Sequence, residues 1–367
     1  MHVTRISVHQ VELPYAGGAY TWSGGRAASI TRSFIVRVDT DGGPCGYGEV
    51  CPLGSSYMAA HPGGVEPGIA ALAPCLLGAD PRETQRLFQR MDAALKGHAY
   101  AKSALDMACW DVLGRAAQLP LYVLLGGRQA EDVPLYRVLP LDATERTVEA
   151  MRTLREQGYK HFQVKVGVEP REDIERIGAA VAAAGPDGLV LADANTGWRV
   201  DAALQVARAT RDLHYYLEQP CFTYDECLAV RRRATQPFKL DESIETLADL
   251  LRAQRDGACD AVSLKLSRHG GLTPARQLRD VCVATGLRMT IEDAWGGSIC
   301  TAAALHLALS TPPGCVLNTT DLHNYCTVQV AADGPVVAAG RMTIADAPGL
   351  GVTPDPAVLG APVAVYE

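Results

Sequence analysis

Between residues 133 and 321, segments whose apolar residues have the spacing of a helix alternate with short runs typical of β-strands. Segments such as TVEAMRTLREQG (147–158) and TPARQLRDVCVATG (273–286) space apolar residues as on one face of a helix, and both end in glycine, a common helix stop. Eight strand-like runs, each starting 22 to 28 residues after the previous one, complete the pattern: VPLYRVL (133–139), HFQVKVG (161–167), LVLADAN (189–195), YLEQP (216–220), FKLDES (238–243), AVSLKLSR (261–268), RMTIEDA (288–294) and CVLNTTD (315–321). Alternating strand and helix units predict a parallel sheet, and eight of them predict its closure into a (β/α)8-type barrel.

The two ends of the chain have a different pattern. Residues 1–55 alternate like antiparallel strands with a D-G-G turn, residues 65–118 have helical spacing, and VQVAADGPVVAAGRMTI (328–344) is typical of a hairpin. A doubly wound open sheet is the competing layout, but it requires a glycine-rich phosphate loop after a strand, and none is present. We predict an α/β protein in three parts: an α+β capping domain (1–125), the barrel (126–325) and a tail (326–367) that returns to the capping domain.

Composition narrows the class of protein. Hydrophobic residues make up 48% of the 367 residues and charged residues 20%, which suits a large core and argues against disorder. The net charge is −7 and no long Lys/Arg block occurs, so neither a nucleic acid nor a membrane surface is an expected partner. No signal-peptide core and no run of 18 apolar residues occurs. The eleven cysteines contain no C-x-x-C pair, which favours reduced thiols and a cytoplasmic protein.

Charged residues stand at or near the C-terminal ends of seven consecutive predicted strands. In a barrel of this type the chemistry lies at that rim, where the strand ends and the loops after them converge. Surface ion pairs formed by chance would not be sorted by strand end. In chain order the residues are Lys165, Asp193, Glu218, Asp241, Lys265, Asp293 and Asp321. We therefore predict an active site at this end of the barrel.

Three of these residues, Asp193, Glu218 and Asp241, are carboxylates on adjacent strands. Without a cation they would repel one another and their pKa values would rise. An all-oxygen set suits Mg²⁺, and the lack of His and Cys in the arc argues against zinc. Asn195 lies two residues after Asp193, on the same face, and is expected to support the metal site or to be a further ligand.

The two lysines lie on strands two and six, which are opposite each other in a ring of eight. Lys165 and Lys265 would then face each other across a bound substrate. Partial burial beside another cation and a metal lowers the pKa of a lysine toward neutrality, which suits a general base. We predict an acid/base pair in which one lysine removes a proton from one face of the substrate and the other delivers a proton to the opposite face.

Asp293 and Asp321 follow strands seven and eight, away from the metal arc. With a substrate carboxylate on the metal, they would face an ammonium or imino group at its other end. The alternative is that one of them orients a lysine. Trp295 and His323 either shape this pocket or pack in the core. The expected partner is a small-molecule carboxylate that also carries an amine.

These residues, taken in order, resemble a known family. Lys165, Asp193 with Asn195, Glu218-Q-P, Asp241-E-S and Lys265 are similar to the motifs of the enolase superfamily, in its muconate-lactonizing-enzyme-like subgroup. The segment AKSALDMACWDVLGRAAQLPLYVLLGG (101–127) resembles the signature helix of that family's capping domain. The resemblance implies removal of a proton α to a carboxylate, an enediolate intermediate that Mg²⁺ stabilises, and a homo-oligomer.

The resemblance also implies that loops of the capping domain close over the barrel. Here these are YAGGAYTWSGG (15–25), with Tyr20 and Trp22, and GSSYMAAHPGG (54–64), with Tyr57. Members that resemble mandelate racemase carry a histidine on strand seven, where this chain has Asp293, so the lysine-pair subgroup fits better.

FQVKVG, LEQPC, KLSRHGGL and EDAWGG are similar to members that act on proline-type compounds, the hydroxyproline-betaine 2-epimerases and the cis-3-hydroxyproline dehydratases. Two positions depart from those relatives. Gln163 stands where many of them have a second lysine, and Asp321 stands where the betaine epimerases have a tryptophan that stacks on a quaternary ammonium. An acid at that position suits a protonated amine.

The first expectation is a Mg²⁺-dependent racemase or 2-epimerase of an amino acid or proline derivative, because two lysines can serve both faces. The alternative is a dehydratase of a hydroxylated cyclic amino acid such as cis-3-hydroxy-L-proline, which uses the same enediolate. Dipeptide epimerisation and cycloisomerisation are more distant options. A non-catalytic binding protein would have lost a lysine or a metal ligand, and an NAD-dependent oxidoreductase would need a phosphate loop.

Overall fold

The computed structural model describes all residues, 1–367. Its strands are β1 (Val3–Pro14), β2 (Tyr20–Trp22), β3 (Arg26–Ala28), β4 (Ile30–Thr40), β5 (Gly46–Val50), β6 (Val133–Pro134), β7 (Tyr136–Leu139), β8 (His161–Lys165), β9 (Leu189–Asp193), β10 (Tyr216–Glu218), β11 (Phe238–Leu240), β12 (Ala261–Lys265), β13 (Arg288–Glu292), β14 (Val316–Asn318), β15 (Val336–Ala338), β16 (Arg341–Thr343) and β17 (Ala364–Tyr366).

Thirteen α-helices separate and flank the strands. They are α1 (Val65–Leu76), α2 (Thr84–Ala94), α3 (Ala99–Ala117), α4 (Leu121–Leu124), α5 (Thr144–Glu156), α6 (Pro170–Ala184), α7 (Val200–Ala209), α8 (Tyr224–Arg231), α9 (Leu247–Asp256), α10 (Leu266–His269), α11 (Leu272–Thr285), α12 (Ser298–Leu309) and α13 (Pro356–Leu359). Short 3₁₀ helices cover Pro62–Gly64, Pro313–Cys315 and Leu322–Tyr325.

Strands β7 to β14 form one parallel sheet of eight strands in chain order. The sheet closes between its first and last members through a parallel bridge from Leu135 to Thr319, and the amide of Tyr136 donates to the carbonyl of Thr319 at 3.0 Å. The strands are buried on both faces, which explains why their sequences are mostly apolar. The predicted (β/α)8-type barrel is confirmed.

The N-terminal part is an antiparallel sheet in the order β17-β1-β4-β5, covered by helices α1 to α3. Strand β1 pairs with β4 over almost its whole length, from Val3 with Thr40 to Pro14 with Ile30. Glycine lets α3 lie directly on β5, because a Cβ at Gly48 would be 1.9 Å from the carbonyl oxygen of Ala104. The α+β fold predicted for this part is therefore present.

The tail contacts both parts of the molecule. Strands β15 and β16 form a hairpin that pairs with β6 at the edge of the barrel. Its turn, Ala339-Gly340, has positive φ at both residues, as tight hairpin turns require. Strand β17 then pairs with β1 in the capping sheet. The hairpin is shorter than the predicted segment 328–344, because only residues 336–343 pair.

None of the helices is both long enough and apolar enough to cross a membrane. All eleven cysteines are free thiols, and most of them are buried.

Candidate active site

A cavity lies at the C-terminal ends of the barrel strands, under the β2–β3 hairpin of the capping domain, and has an empty volume of about 460 Å³. Nine of the residues singled out from the sequence line it: Tyr20, Trp22, Tyr57, Gln163, Lys165, Asn195, Lys265, Asp293 and Trp295. Tyr136, Glu292 and Tyr325, which the sequence did not suggest, line it as well. The other five predicted site residues do not line it: Asp193, Glu218, Asp241, Asp321 and His323.

The two lysines occupy the last positions of β8 and β12, which lie four strands apart in the barrel. The ammonium Nζ of Lys165 is 2.5 Å from Oδ2 of Asp193, and that of Lys265 is 2.8 Å from Oδ2 of Asp241. Both side chains are almost fully buried. Lys265 also donates to the hydroxyl of Tyr57. The lysines thus reach one cavity from opposite sides of the ring.

The pKa values of the lysines are shifted opposite to the sequence-based expectation. Burial by itself lowers the pKa of Lys165, but the carboxylate of Asp193 raises it well above its ordinary value. For Lys265, burial lowers the pKa, and Asp241 and Glu292 outweigh burial and raise it. The lowering was predicted for lysines that lie beside a bound metal, whereas in this arrangement the carboxylates at hydrogen-bond distance outweigh desolvation.

The three carboxylates of the predicted metal site end or follow neighbouring strands. Asp193 and Glu218 are paired in register across β9 and β10, and Asp241 follows β11 directly. All three are buried. Each one contacts a cation: Asp193 contacts Lys165, Glu218 contacts Lys239, and Asp241 contacts Lys265 and Arg268. In this arrangement no three Asp, Glu, His or Cys side chains surround one point as a ready metal site.

The surroundings of the carboxylates nevertheless fit a hard divalent cation. Burial raises the pKa of Glu218 to about 7, Lys239 lowers it, and Asp193 and Asp241 raise it further. Burial, Asp241 and Asp193 raise the pKa of Glu242 to about 8. Two buried oxygens beside them, Oδ1 of Asn195 and Oε2 of Glu242, have no hydrogen-bond partner. Crowded, mutually repelling carboxylates and unpaired oxygens are the donor set that Mg²⁺ prefers.

Buried cations hold this arc together, and two of them, Lys239 and Arg268, were not predicted from the sequence. Lys239 is fully buried, and its Nζ lies 2.9 Å from Oε1 of Glu218. The two groups form an ion pair, but their angles do not meet those of a hydrogen bond. Arg268 donates to Oδ1 of Asp241 at 2.5 Å and to its carbonyl oxygen at 2.8 Å. As a result the pKa of Asp241 is below its usual range: burial raises it, but Arg268 and Lys265 lower it more. Lys239 lies two residues before Asp241, and side chains two residues apart in a strand share a face. The sequence therefore contained a signal that Lys239 faces the same side as Asp241.

Gln163 and Asn195 join the carboxylates to their neighbours. The amide of Gln163 donates to Oε2 of Glu218 at 3.0 Å, so a neutral donor contacts this carboxylate from β8. The amide of Asn195 donates to Oε1 of Glu242 at 3.0 Å. Asn195 and Gln219 have φ values of 42° and 34°, a region that non-glycine residues seldom occupy. Strain of this kind is concentrated at functional sites.

The strand-seven acid that reaches Lys265 is Glu292, the last residue of β13. Glu292 pairs in register with Lys265, and its Oε1 is 3.6 Å from Nζ of that lysine. Tyr136 donates to its other oxygen. Asp293 also lines the cavity, but its carboxylate accepts from the amide and hydroxyl of Ser267 and from the amide of Ala294. Asp293 therefore orients the chain after β12 and has its oxygens satisfied.

Asp321 is fully buried, and its carboxylate is bound by protein groups. Arg137 on β7 donates to Oδ1 at 2.9 Å, and Asn324 donates to Oδ2 at 3.0 Å. The guanidinium of Arg137 also lies 4.0 Å from the centre of the Tyr325 ring. The structure thus does not place Asp321 where the sequence analysis expected it, at the amine end of the substrate cavity. His323 is buried, and burial lowers its pKa.

Aromatic side chains cover the mouth. The segment with Tyr20 and Trp22, expected as a loop, is the β2–β3 hairpin. Its Ser23 hydroxyl donates to the carbonyl of Asn195, and Thr21 bonds to the backbone of Leu141. The rings of Tyr20 and Trp295 lie 5.3 Å apart. The rings of Tyr20, Trp22 and Trp295 give the cavity apolar walls, which limits the access of water.

Two family models cover most of the chain. The model of the mandelate racemase/muconate lactonizing enzyme N-terminal domain matches residues 26–126, and the model of the enolase C-terminal domain-like family matches residues 146–358.

Several proteins are similar to it over most or all of their length. A cis-3-hydroxy-L-proline dehydratase from Roseibium aggregatum is 46% identical over 367 residues, which is 100% of both chains. An N-succinyl-L-Arg/Lys racemase from Bacillus cereus is 29% identical and covers 84% of this chain and 85% of its own. A mandelate racemase/muconate lactonizing enzyme from Roseovarius nubinhibens, solved with magnesium, superimposes with a TM-score of 0.97 at 39% identity, covering 100% of both chains. The chain therefore belongs to the enolase superfamily, in its mandelate racemase/muconate lactonizing enzyme group.

Proposed function

We propose that this protein is a Mg²⁺-dependent dehydratase of a cis-3-hydroxylated cyclic amino acid of the proline type. One observation carries the proposal: two buried lysines, four strands apart, reach the same small cavity from opposite sides. The full-length similarity to a cis-3-hydroxy-L-proline dehydratase supports this reaction over racemisation, which the sequence alone placed first.

The stereochemistry of such a substrate requires acid and base on opposite faces. In a cis-3-hydroxylated ring the hydroxyl and the carboxylate share one face, so the α-proton lies on the other. One lysine, as the free amine, takes the α-proton, and the other, as the ammonium, protonates the departing hydroxyl. The Cα–H bond and the C3–O bond break, a C2=C3 double bond forms, and water leaves. The resulting cyclic enamine becomes the cyclic imine by proton transfer.

The remaining groups of the site bind and orient the substrate. Asp193, Glu218 and Asp241 would hold Mg²⁺, which when bound stabilises negative charge on a substrate carboxylate. Gln163 and Lys239 fix the position of Glu218, and Arg268 fixes that of Asp241. Tyr20, Trp22 and Trp295 exclude water from the reacting carbon, which strengthens every electrostatic contact in the cavity.

Racemisation or 2-epimerisation is the second candidate. It uses the same lysines, because one can remove the α-proton and the other can return a proton to the opposite face. The similarity to an N-succinyl-L-Arg/Lys racemase supports it.

The test is proton NMR in D₂O with Mg²⁺, on cis-3-hydroxy-L-proline and its trans isomer. We expect the cis compound to give cyclic imine. The trans compound is the matched control, since its hydroxyl shares a face with the α-proton; we expect it to be a far poorer elimination substrate. Loss of the α-proton signal with retained hydroxyl and inverted configuration would instead show an epimerase. No reaction of either compound would refute the substrate class.

A further inference from the structure

We propose that Glu292 is the receptor for the ring ammonium of the substrate, a role that the sequence had suggested for Asp293 and Asp321. The inference rests on the proposed function, because it concerns an amino-acid carboxylate in the same cavity. If Glu292 has this role, the protein should bind a ring with an N–H group more tightly than the same ring with a non-donor atom in place of that nitrogen.

The order of the strands places Glu292 at the correct side of the cavity. The lysine strands β8 and β12 divide the barrel ring in two. The carboxylates of the metal arc lie on or after β9, β10 and β11, all on one side of that line, and Glu292 ends β13 on the other side. An α-amino acid whose carboxylate faces the arc and whose Cα lies between the lysines directs its nitrogen toward the side formed by β13, β14 and β7.

Glu292 also offers a free acceptor. Its side chain is 2% exposed, it lines the cavity, and its Oε1 has no hydrogen-bond partner. The Nζ of Lys265 is 3.6 Å away and is bonded to Asp241 at 2.8 Å, so it does not occupy this oxygen with a hydrogen bond. A buried carboxylate oxygen left without a donor is costly, and a ligand N–H that fills it gains a charge-assisted hydrogen bond.

Tyr136 fixes the orientation of this carboxylate. Its hydroxyl donates to Oε2 of Glu292, which leaves Oε1 as the oxygen directed to the ligand. Tyr136 lies on β7 and is buried, so the pair spans the half of the ring opposite the metal arc. The other two acids on this side are satisfied by protein donors, Asp293 by Ser267 and Asp321 by Arg137. Of these three acids, Glu292 is therefore the one that keeps a carboxylate oxygen without a hydrogen-bond donor.

The experiment compares two ligands that differ at one atom. L-Proline has the ring N–H, and (S)-tetrahydrofuran-2-carboxylate has an ether oxygen in its place; neither carries a hydroxyl that can leave. Calorimetric titration with Mg²⁺ gives the ratio of their Kd values. We expect the wild type to prefer L-proline by roughly 10- to 100-fold, as for a hydrogen bond to a charged group. The Glu292→Gln variant should bring the ratio close to one, with the Kd of the ether acid little changed.

Two further variants keep the test decisive. Tyr136→Phe should give an intermediate ratio, and it replaces Glu292→Gln if that variant does not fold. Asp321→Asn is the matched control and should keep the wild-type ratio. An unchanged ratio in Glu292→Gln, or an unchanged ratio in Tyr136→Phe where only that variant folds, overturns the assignment while leaving the dehydratase proposal intact. Failure of the wild type to bind either ligand also overturns the assignment, and the NMR assay on the hydroxyprolines decides the dehydratase proposal separately.

Discussion

Lys239 is fully buried and pairs with Glu218 at 2.9 Å, so its replacement by methionine tests how the metal arc is held together. The variant keeps the length of the side chain and removes its charge. Removing one partner of a buried ion pair costs roughly 3–5 kcal/mol, because the other charge remains without compensation. We expect Lys239→Met to lose that amount of unfolding free energy at pH 8 in the absence of metal.

The loss should depend on pH, and its sign follows from Glu218. Burial raises the pKa of Glu218 to about 7 even though Lys239 lowers it. The folded protein therefore binds more protons than the unfolded chain between the ordinary value of 4.5 and about 7, and stability falls as pH rises through this window. Without Lys239 the pKa rises further. The variant should be much less impaired at pH 5.5, where Glu218 is neutral.

The assay is guanidinium unfolding followed by tryptophan fluorescence at both pH values, with a chelator present. Lys239→Met/Glu218→Gln removes both charges and should recover most of the loss. Lys160→Met removes an exposed lysine, paired with Asp187 at 2.8 Å, and should cost less than about 1 kcal/mol. A loss below about 1 kcal/mol for Lys239→Met at pH 8 would refute the reasoning, and so would an equal loss in the double variant.

Four further outcomes are expected. Lys165→Ala and Lys265→Ala should each lower turnover by roughly 10²- to 10⁴-fold in the NMR assay, and a near-wild-type rate in either would remove that lysine from the mechanism. Chelation of Mg²⁺ should abolish α-proton exchange and lower the melting temperature, and both should return when the metal is added back. Burial raises the pKa of Asp106 to about 7, against hydrogen bonds from Thr273 that lower it. Relative to Asp106→Asn, the unfolding free energy of the wild type should therefore fall by about 2.7 kcal/mol between pH 5 and pH 8. The pKa lies two pH units above pH 5, and each unit corresponds to about 1.36 kcal/mol. Unfolding free energies that change in parallel with pH in the two proteins would contradict this. Asp321→Asn should lower the unfolding free energy by about 2 kcal/mol, because Arg137 loses a hydrogen bond to a charged partner. KM should stay within twofold, and a large rise in KM would place Asp321 at the substrate.

Much of the site was predictable because its residues obey local rules. Lys165, Asp193, Glu218 and Lys265 end their strands, and the carboxyl ends of parallel strands must meet at one rim. Their spacing along the chain was enough to place them together. Lys239 was also within reach, since alternation places it on the same face as Asp241.

Other contacts had no local signal. Glu292 and Asp293 are adjacent in the sequence, and only the pairing of β12 with β13 decides which of them lies beside Lys265. Asp321 meets Arg137 across 184 residues of chain, at the seam where the barrel closes.

The sequence by itself determined the eight strand–helix units, the antiparallel capping sheet and the chemical character of the rim, because apolar periodicity and strand ends are properties of short segments. The tertiary structure decided which buried acids are satisfied by protein cations and which keep a free oxygen. It also decided that a hairpin and Tyr57 cover the cavity. The physical reason is that hydrogen bonding and pKa depend on distances of a few ångströms between residues far apart in the chain, and those distances exist only once the barrel has closed.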